Sequence, residues 1–215
     1  MTAGMAALSA ASAMGLVAPA LAQRRAKSGP TEVSVEELMK PGPLPDLVLG
    51  KADAPITVVE YASMTCGHCA NFHNKVFPAL KEKYVETGKV RFIVREFPLD
   101  NLAAAASMMA RCAGDGKALP MIGVLFQKQE EWAFVRGDPR PELFKFAKQA
   151  GFTQESFEKC LTDQALLDKI VAIRATAAEK FGVNGTPTFF VNGKRLPDPP
   201  SLDQFDKAFA SVLKS

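Results

Sequence analysis

The chain has 215 residues, of which 47% are hydrophobic and 23% are charged, a composition typical of a packed globular domain rather than a disordered chain. Its 26 Lys and Arg residues barely outnumber its 23 Asp and Glu residues, and this small, scattered excess argues against a dedicated nucleic-acid surface. Four cysteines are too few for a disulfide-stapled miniprotein, and a chain of this length can bury an adequate core without staples.

The first 22 residues have features of a secretory signal peptide. They contain nine alanines and no charged side chain, and they end in Ala20-Leu21-Ala22, an A-x-A pattern typical of cleavage sites. No Lys or Arg precedes the apolar run, so a disordered alanine-rich segment is the alternative. We expect export with cleavage after Ala22, and therefore an oxidising compartment in which cysteines can pair.

Residues 23–50 form a predicted leader. A short helix is expected around residues 35–39, and three prolines within residues 41–45 then favour a stiff, extended connector. We expect this leader to be too short to fold as a domain of its own.

The next segment predicts a β-α-β unit. Residues 56–61 form a β-branched run without clean polar alternation, which is typical of a central strand buried on both faces. From Cys69 onward the apolar residues follow helical spacing, with a kink expected at Pro78 and an end at Gly88. Residues 90–97 form the second predicted strand of this unit.

A long stretch without strand signals predicts an all-helical insertion over residues 101–180. Pro141 is expected to open one helix, and Thr153 and Thr162 are expected to cap two others. The five expected helices cover residues 101–113, 118–128, 141–150, 153–161 and 162–181.

The last part of the chain predicts a hairpin followed by a helix. Residues 188–191 favour a strand, Asn192-Gly193 favours a tight turn, and residues 194–196 are expected to return as a short partner strand. Ser201 begins a capping box ahead of an amphipathic helix.

The element order is therefore β-α-β, a helical block, then β-β-α. It assigns residues 51–100 and 181–215 to one α/β core and residues 101–180 to an insertion between its two halves. Strands separated by the insertion are expected to share one sheet.

The motif Cys66-Gly67-His68-Cys69 lies where the first predicted strand meets the long helix. A thiol at a helix N-terminus faces unpaired backbone N–H groups and the positive end of the helix dipole, which both favour the thiolate. Cys66 would be that thiol, and Cys69, one turn further in, would be less exposed but within bonding reach. His68 would add a donor or a positive charge near the Cys66 sulfur. This asymmetry predicts thiol–disulfide exchange at Cys66, with Cys69 as the resolving thiol.

A metal-binding chaperone is an alternative interpretation of the same cysteines. Cys66, Cys69 and His73 share one helical face, and three such ligands could bind zinc or copper. The chain has only two histidines and no second C-x-x-C motif that could complete a closed structural site. The spacing therefore favours redox chemistry, with His73 as a packed helix residue.

Glu60 lies on the predicted buried strand. A buried carboxyl group is costly unless it is protonated or paired. Glu60 is therefore a candidate acid that passes protons to and from the Cys69 sulfur. The alternative is an edge position that faces water.

Thr186-Pro187 precedes the strand predicted over residues 188–191. A proline at a strand start is ordinarily an edge or turn device. A cis peptide bond would instead place an exposed backbone edge beside the disulfide, where a substrate peptide could pair. The sequence leaves these two interpretations open.

Cys112 and Cys160 fall near the ends of two helices predicted for the insertion. In an exported protein such a leftover pair indicates a structural disulfide. Two unrelated buried thiols are the alternative.

Three stretches carry a resemblance to a known family, namely residues 59–69, 95–99 and 182–188. With them, the chain resembles the DsbA-like branch of the thioredoxin superfamily over nearly all of residues 45–215. The resemblance implies a thioredoxin fold with an all-helical insertion. It also implies that Cys66 is the nucleophile, Cys69 the resolving thiol, Glu60 the buried acid and Pro187 a cis proline.

The resemblance further implies a periplasmic thiol–disulfide oxidoreductase that introduces disulfides into exported proteins. Its expected partners are reduced or unfolded exported proteins and a membrane quinone-linked thiol oxidase, with no nucleic acid. No cofactor is expected, because the sulfurs carry the electrons.

A disulfide isomerase or reductase on the same fold is the alternative. The dipeptide Gly67-His68 equals that of protein disulfide isomerases, and Thr186 matches several isomerase-type relatives. Isomerases of this type are commonly dimers with an N-terminal dimerisation domain. Because residues 23–50 are too short for such a domain, we expect a monomeric oxidase.

Overall fold

The computed structural model describes Met1, residues 29–197 and residues 200–213. Apart from Met1, the predicted signal peptide over residues 1–22 and its cleavage after Ala22 lie outside these ranges. Across the described residues, each helix is too short or too polar to cross a lipid bilayer.

One five-stranded sheet forms the centre of the fold. Its strands are Leu47–Leu49 (β1), Ile56–Ala62 (β2), Val90–Glu96 (β3), Thr188–Val191 (β4) and Lys194–Arg195 (β5). The strand order is β1-β3-β2-β4-β5, with β2 and β3 parallel and the other neighbours antiparallel. Because β2 pairs with both β3 and β4, the two halves of the predicted α/β core meet in one sheet.

Ten α-helices of the described residues pack around this sheet, and six of them form the insertion. The helices are Val35–Leu38 (α1), Gly67–Lys75 (α2), Phe77–Leu80 (α3), Asn101–Cys112 (α4), Ala118–Gln127 (α5), Gln129–Trp132 (α6), Arg140–Gln149 (α7), Gln154–Leu161 (α8), Gln164–Phe181 (α9) and Leu202–Leu213 (α10). α6 is absent from the sequence prediction because four residues carry too little helical periodicity.

The central strand β2 is buried on both faces, as its sequence predicts. Val58 packs in the cluster that contains Phe72 of α2, whereas its neighbour Val59 packs with Tyr61 and Phe181 in a second cluster. Successive side chains of a strand point to opposite faces, so a strand covered on both sides needs a nearly continuous apolar run.

The leader joins the sheet instead of only connecting to it. β1 pairs with β3, and Arg95 of β3 forms a bidentate ion pair with Asp46 at 2.8 and 3.0 Å. The same guanidinium donates to the Leu38 carbonyl oxygen at 2.7 Å. Arg95 is buried, and a buried charge is stable only with such partners. The described part of the leader, residues 29–50, therefore packs against the sheet.

The helix that follows the cysteine motif is broken, so the prediction of one helix with a kink at Pro78 is wrong. α2 ends at Lys75, Val76 separates it from α3, and Pro78 lies in the first turn of α3. Proline lacks a backbone N–H and is tolerated best in a first turn, where that donor has no partner in the helix. A π-helical turn over Lys81–Val85 continues the segment towards Gly88.

Asp163, and not Thr162, caps α9. The Asp163 carboxylate accepts from the Leu166 N–H at 3.0 Å, whereas Thr162 closes α8 and donates its hydroxyl to the Glu158 carbonyl oxygen at 2.8 Å. Both residue types favour N-caps, so only the backbone path decides between adjacent candidates. α9 ends before Gly182, which adopts the left-handed conformation with φ of 62°.

A disulfide joins Cys112 at the end of α4 to Cys160 in α8, with their Cα atoms 6.2 Å apart. Cys160 is buried in a small cluster with Met108 of α4 and Ile170 of α9. The bond therefore lies where three helices of the insertion meet.

Removal of this disulfide should destabilise the protein. The bond closes a loop between positions 48 residues apart, so Cys112→Ala/Cys160→Ala should lower the free energy of unfolding by about 4 kcal/mol in the chain-entropy treatment. Urea unfolding measures the loss. The proteins with and without the Cys112–Cys160 bond should both carry Cys66→Ala/Cys69→Ala, because these substitutions prevent thiol exchange during the measurement. An unchanged unfolding midpoint would contradict a structural role for the bond.

Candidate active site

The two cysteines of the C-x-x-C motif lie in different environments at the start of α2. Cys66 is the N-cap residue of α2, with extended backbone and a half-buried side chain. Cys69 lies one turn further along and is fully buried. Both thiols are free, so the geometry below is that of the reduced Cys66–Cys69 pair.

The environment of Cys66 strongly favours its thiolate. The hydrogen bond from the Cys69 thiol lowers the pKa of Cys66 most, burial opposes it in part, and the net pKa is about 5. The Thr186 side chain and the backbone N–H groups of His68 and Cys69 lower it further. These N–H groups are the donors that a helix N-terminus leaves unpaired. At neutral pH the Cys66 sulfur is therefore negatively charged.

The environment of Cys69 favours its neutral thiol. Burial raises the pKa of Cys69 well above the usual range, and the hydrogen bond to Cys66 and the charge of Glu60 raise it further. The two sulfurs therefore divide into a thiolate and a thiol. This difference makes Cys66 the better leaving group in thiol–disulfide exchange.

The segment Thr186-Pro187 lies directly against Cys66, although 120 residues separate Cys66 from Thr186. The peptide bond between Thr186 and Pro187 is cis. When protonated, the Cys66 thiol donates to the Thr186 carbonyl oxygen, with 3.1 Å between sulfur and oxygen. The Thr186 hydroxyl is buried and has no oxygen or nitrogen partner for a hydrogen bond among the described residues. It can therefore turn towards the Cys66 thiolate.

Glu60 is fully buried on β2 and pairs with His73, a partner that the sequence analysis did not predict. Glu60 Oε2 lies 2.9 Å from His73 Nε2, and the His73 ring stacks on Phe126 with centroids 4.5 Å apart. Glu60 Oε1 has no hydrogen-bond partner in the described part of the chain. β2 has a strand on each side, which excludes the edge alternative for Glu60. Cys69 and His73 lie one turn apart on α2, so this pair lies beside the Cys69 sulfur.

The backbone of His68, and not its side chain, contacts the Cys66 sulfur. Its N–H is one of the donors that lower the pKa of Cys66. Its imidazole is exposed, and no hydrogen bond joins it to another described residue. The structure thus places His68 at the site through its position in the first turn of α2.

The alternative metal site lacks converging ligands in the described residues, where no three His, Cys, Asp or Glu side chains could hold one ion. Of the set Cys66, Cys69 and His73, the histidine Nε2 is directed at Glu60. The arrangement brings together two sulfurs and a buried carboxyl group instead of a set of converging metal ligands.

Two supports of the cysteine loop were missed from the sequence. Gln129 of α6 donates to the carbonyl oxygens of Met64 and Cys66, at 2.8 and 3.1 Å. The Thr65 hydroxyl donates to Asp100 at 2.6 Å, and Asp100 also caps α4. The cap at Asp100 has a local sequence signal, but the contact of Gln129 with a loop more than sixty residues away has none.

Comparison with known proteins establishes the family. A family model described as thioredoxin matches residues 44–210. The crystal structure of Wolbachia pipientis alpha-DsbA1 is similar with a TM-score of 0.75 and 32% identity, covering 84% of this chain and 96% of that one. The chain belongs to the DsbA-like family of the thioredoxin fold. The predicted family and fold are therefore confirmed, helical insertion included.

Sequence relatives of this DsbA-like chain are named for thiol–disulfide chemistry. A Rickettsia bellii protein named as a protein-disulfide oxidoreductase is 40% identical over 151 residues, which are 69% of this chain and 57% of the relative. A Bacillus cereus protein named disulfide bond formation protein D is 31% identical over 174 residues, covering 77% of this chain and 78% of the relative. The chain thus spans less than two thirds of the Rickettsia relative. Its family is one of thiol–disulfide oxidoreductases.

The reduced DsbA-like protein should lose stability in acid because of Cys66. The pKa of Cys66 falls from 9.0 to about 5 on folding, so the unfolded chain binds more protons between these two values. The contribution is complete above about pH 9 and is lost as the pH falls through about 5. Urea unfolding at several pH values, with the Cys66–Cys69 pair reduced and with it oxidised, measures this contribution. Cys66 in the disulfide does not titrate, so the oxidised protein is the reference.

Two results would test the origin of this effect. Cys69→Ala removes the hydrogen bond that lowers the pKa of Cys66 most, so alkylation of Cys66 by iodoacetamide should show a higher pH midpoint than in the parent protein. A free-energy difference between the reduced and oxidised proteins that does not change with pH would contradict the assignment.

The Glu60–His73 pair should show strong energetic coupling. His73→Phe keeps an aromatic ring against Phe126 but leaves the buried Glu60 carboxyl group without a partner, which should cost about 2 kcal/mol of unfolding free energy. Glu60→Leu/His73→Phe should cost less than the sum of the two single substitutions, because it leaves no orphaned polar group. Strictly additive losses in a double-mutant cycle would show that the contact is not a stabilising pair.

Proposed function

We propose that the protein oxidises thiols of exported proteins in the periplasm and so introduces their disulfide bonds. The observation that carries this proposal is the Cys66 sulfur, whose pKa of about 5 makes it a thiolate at neutral pH. A stabilised thiolate favours the reduced dithiol, and the corresponding disulfide is then a strong oxidant. The family membership supports the class of reaction, and the electrostatics support its direction.

The first step is attack of a substrate thiolate on Cys66 Sγ of the oxidised protein. A bond forms between the substrate sulfur and Cys66, the Cys66–Cys69 bond breaks, and Cys69 leaves as a thiolate. Because its buried position disfavours that charge, Cys69 takes up a proton at once. Glu60 and His73 lie beside this sulfur and are the groups that can deliver the proton.

The second step releases the oxidised substrate. Another substrate thiolate attacks the substrate sulfur of the mixed disulfide, so a substrate disulfide forms and Cys66 leaves as a thiolate. Its lowered pKa makes Cys66 a good leaving group. Two electrons have then passed from the substrate to the Cys66–Cys69 pair, and no other cofactor is needed for this transfer.

The Thr186-Pro187 segment is the proposed docking edge for the substrate backbone. Thr186 is half-buried and its carbonyl oxygen lies 3.1 Å from the Cys66 sulfur. In the oxidised protein and in the mixed disulfide, Cys66 has no thiol proton to donate to this carbonyl group. The oxygen can then accept a backbone N–H of an extended substrate, as in strand addition.

The family resemblance supplies the remaining parts of the proposal. They are a periplasmic location after removal of the predicted signal peptide, a monomeric state, and reoxidation of the dithiol by a membrane quinone-linked thiol oxidase. Secretion of the full chain into the periplasm would test the location. A mass equal to that of one chain by light scattering would test the monomeric state.

The test is the equilibrium of the Cys66–Cys69 pair with glutathione, followed by oxidation of reduced ribonuclease. We expect a reduction potential well above the roughly −270 mV of thioredoxin. Cys66→Ala should abolish ribonuclease oxidation, whereas Cys112→Ala/Cys160→Ala should retain it. A potential near that of thioredoxin, or oxidation that survives Cys66→Ala, would refute the proposal.

The isomerase alternative keeps its two sequence features, Gly67-His68 and Thr186, and Thr186 lies beside Cys66. Refolding of scrambled ribonuclease separates the two functions. An oxidase should form disulfides in reduced ribonuclease quickly and should rearrange incorrect disulfides slowly. Slow oxidation together with fast rearrangement would favour the isomerase.

A further inference from the structure

The side-chain amide of Gln129 is bound to the backbone of the cysteine loop. Gln129 Nε2 lies 2.8 Å from the Met64 carbonyl oxygen and 3.1 Å from the Cys66 carbonyl oxygen. One amide nitrogen has two hydrogens, so both bonds can form at once. Gln129 is 4% exposed, which makes loss of either bond costly.

The insertion holds Gln129 in place from its own side. Gln129 is the first residue of α6, and its carbonyl oxygen accepts from the Ala133 N–H at 2.8 Å. Trp132 of the same short helix is fully buried and donates its indole N–H to the Leu125 carbonyl oxygen at 2.8 Å. The Gln129 amide therefore projects from the junction between α5 and α6, which these two hydrogen bonds and the buried Trp132 hold together.

The Cys66 carbonyl oxygen accepts two hydrogen bonds, one from α2 and one from the insertion. It accepts from the Ala70 N–H at 3.1 Å, which is the first hydrogen bond of α2, and it accepts from Gln129. Gln129 thus fixes the residue whose sulfur faces the free N–H groups of α2. A small rotation of this backbone would move the sulfur away from those donors, because they act only at the end of the helix.

We propose that Gln129 is a positioning residue of the redox centre, through which the helical insertion holds the Cys66 backbone at the N-terminus of α2. The inference rests on the proposed function for its redox meaning, but the contact itself can be tested without a substrate. The proposal gives the insertion a role in stabilising the Cys66 thiolate.

Two substitutions at Gln129 separate position from packing. Gln129→Met preserves much of the volume and removes both donors, so the Cys66 thiolate should be less stabilised. Gln129→Glu also removes the two-hydrogen donor, and at a pH where the new carboxyl group is ionised its charge should destabilise the thiolate further. Gln149→Met and Gln149→Glu are the matched controls, since Gln149 is exposed at the end of α7.

The readouts are the pH midpoint of Cys66 thiolate absorbance in the reduced protein and the equilibrium constant with glutathione. We expect Gln129→Met to shift that constant about tenfold towards the disulfide, which is about 30 mV for two electrons. Gln129→Glu should shift it further, and neither Gln149 variant should shift it. Thermal unfolding of each variant records the effect on stability alone.

Each outcome decides between alternatives. Gln129 variants that unfold earlier but keep the parental thiolate midpoint and potential would show that Gln129 is only structural, and the inference would be wrong. A parent protein whose Cys66 ionises like a free cysteine would instead refute the proposed function, whatever the Gln129 variants do.

Discussion

The chemistry of this protein depends on a charge held at one end of a helix. The Cys66 sulfur lies at the N-terminus of α2, where backbone N–H groups have no partner within the helix, and it accepts a hydrogen bond from the Cys69 thiol. Burial opposes this charge but does not outweigh the donors. The proposed direction of electron flow, from substrate thiols to the cysteine pair, rests on this stabilised thiolate, and the remaining contacts of the site surround the same sulfur.

Three separate parts of the fold converge on the cysteine pair, and each contacts a different part of it. β2 places Glu60 beside Cys69, and His73 supplies the partner without which a buried carboxyl group would be costly. The turn before β4 brings Thr186 against the reactive sulfur. The insertion reaches the backbone of the same loop through Gln129. In the proposed mechanism, the sheet supplies the group that carries the proton, the turn supplies the docking edge for the substrate, and the insertion holds the position of the Cys66 backbone.

The sequence predicted the main architecture because its signals are local. A β-branched run followed by helical spacing after a C-x-x-C motif specifies strand, cysteine loop and helix without reference to the rest of the chain. Errors occurred where local signals were weak or equivalent. β1 is only three residues long, Thr162 and Asp163 were both suitable caps, and Pro78 could kink one helix or lie in the first turn of a second.

The sequence by itself determined which residue would carry the charge, since the position of Cys66 before a helix follows from its neighbours. The tertiary structure decided what surrounds that charge. Glu60 could face a partner or water, and only the central place of β2 buries it against His73. Thr186 and Gln129 reach Cys66 across 120 and 63 residues of chain. Contacts of that range depend on how whole elements pack, and no short stretch of sequence encodes them.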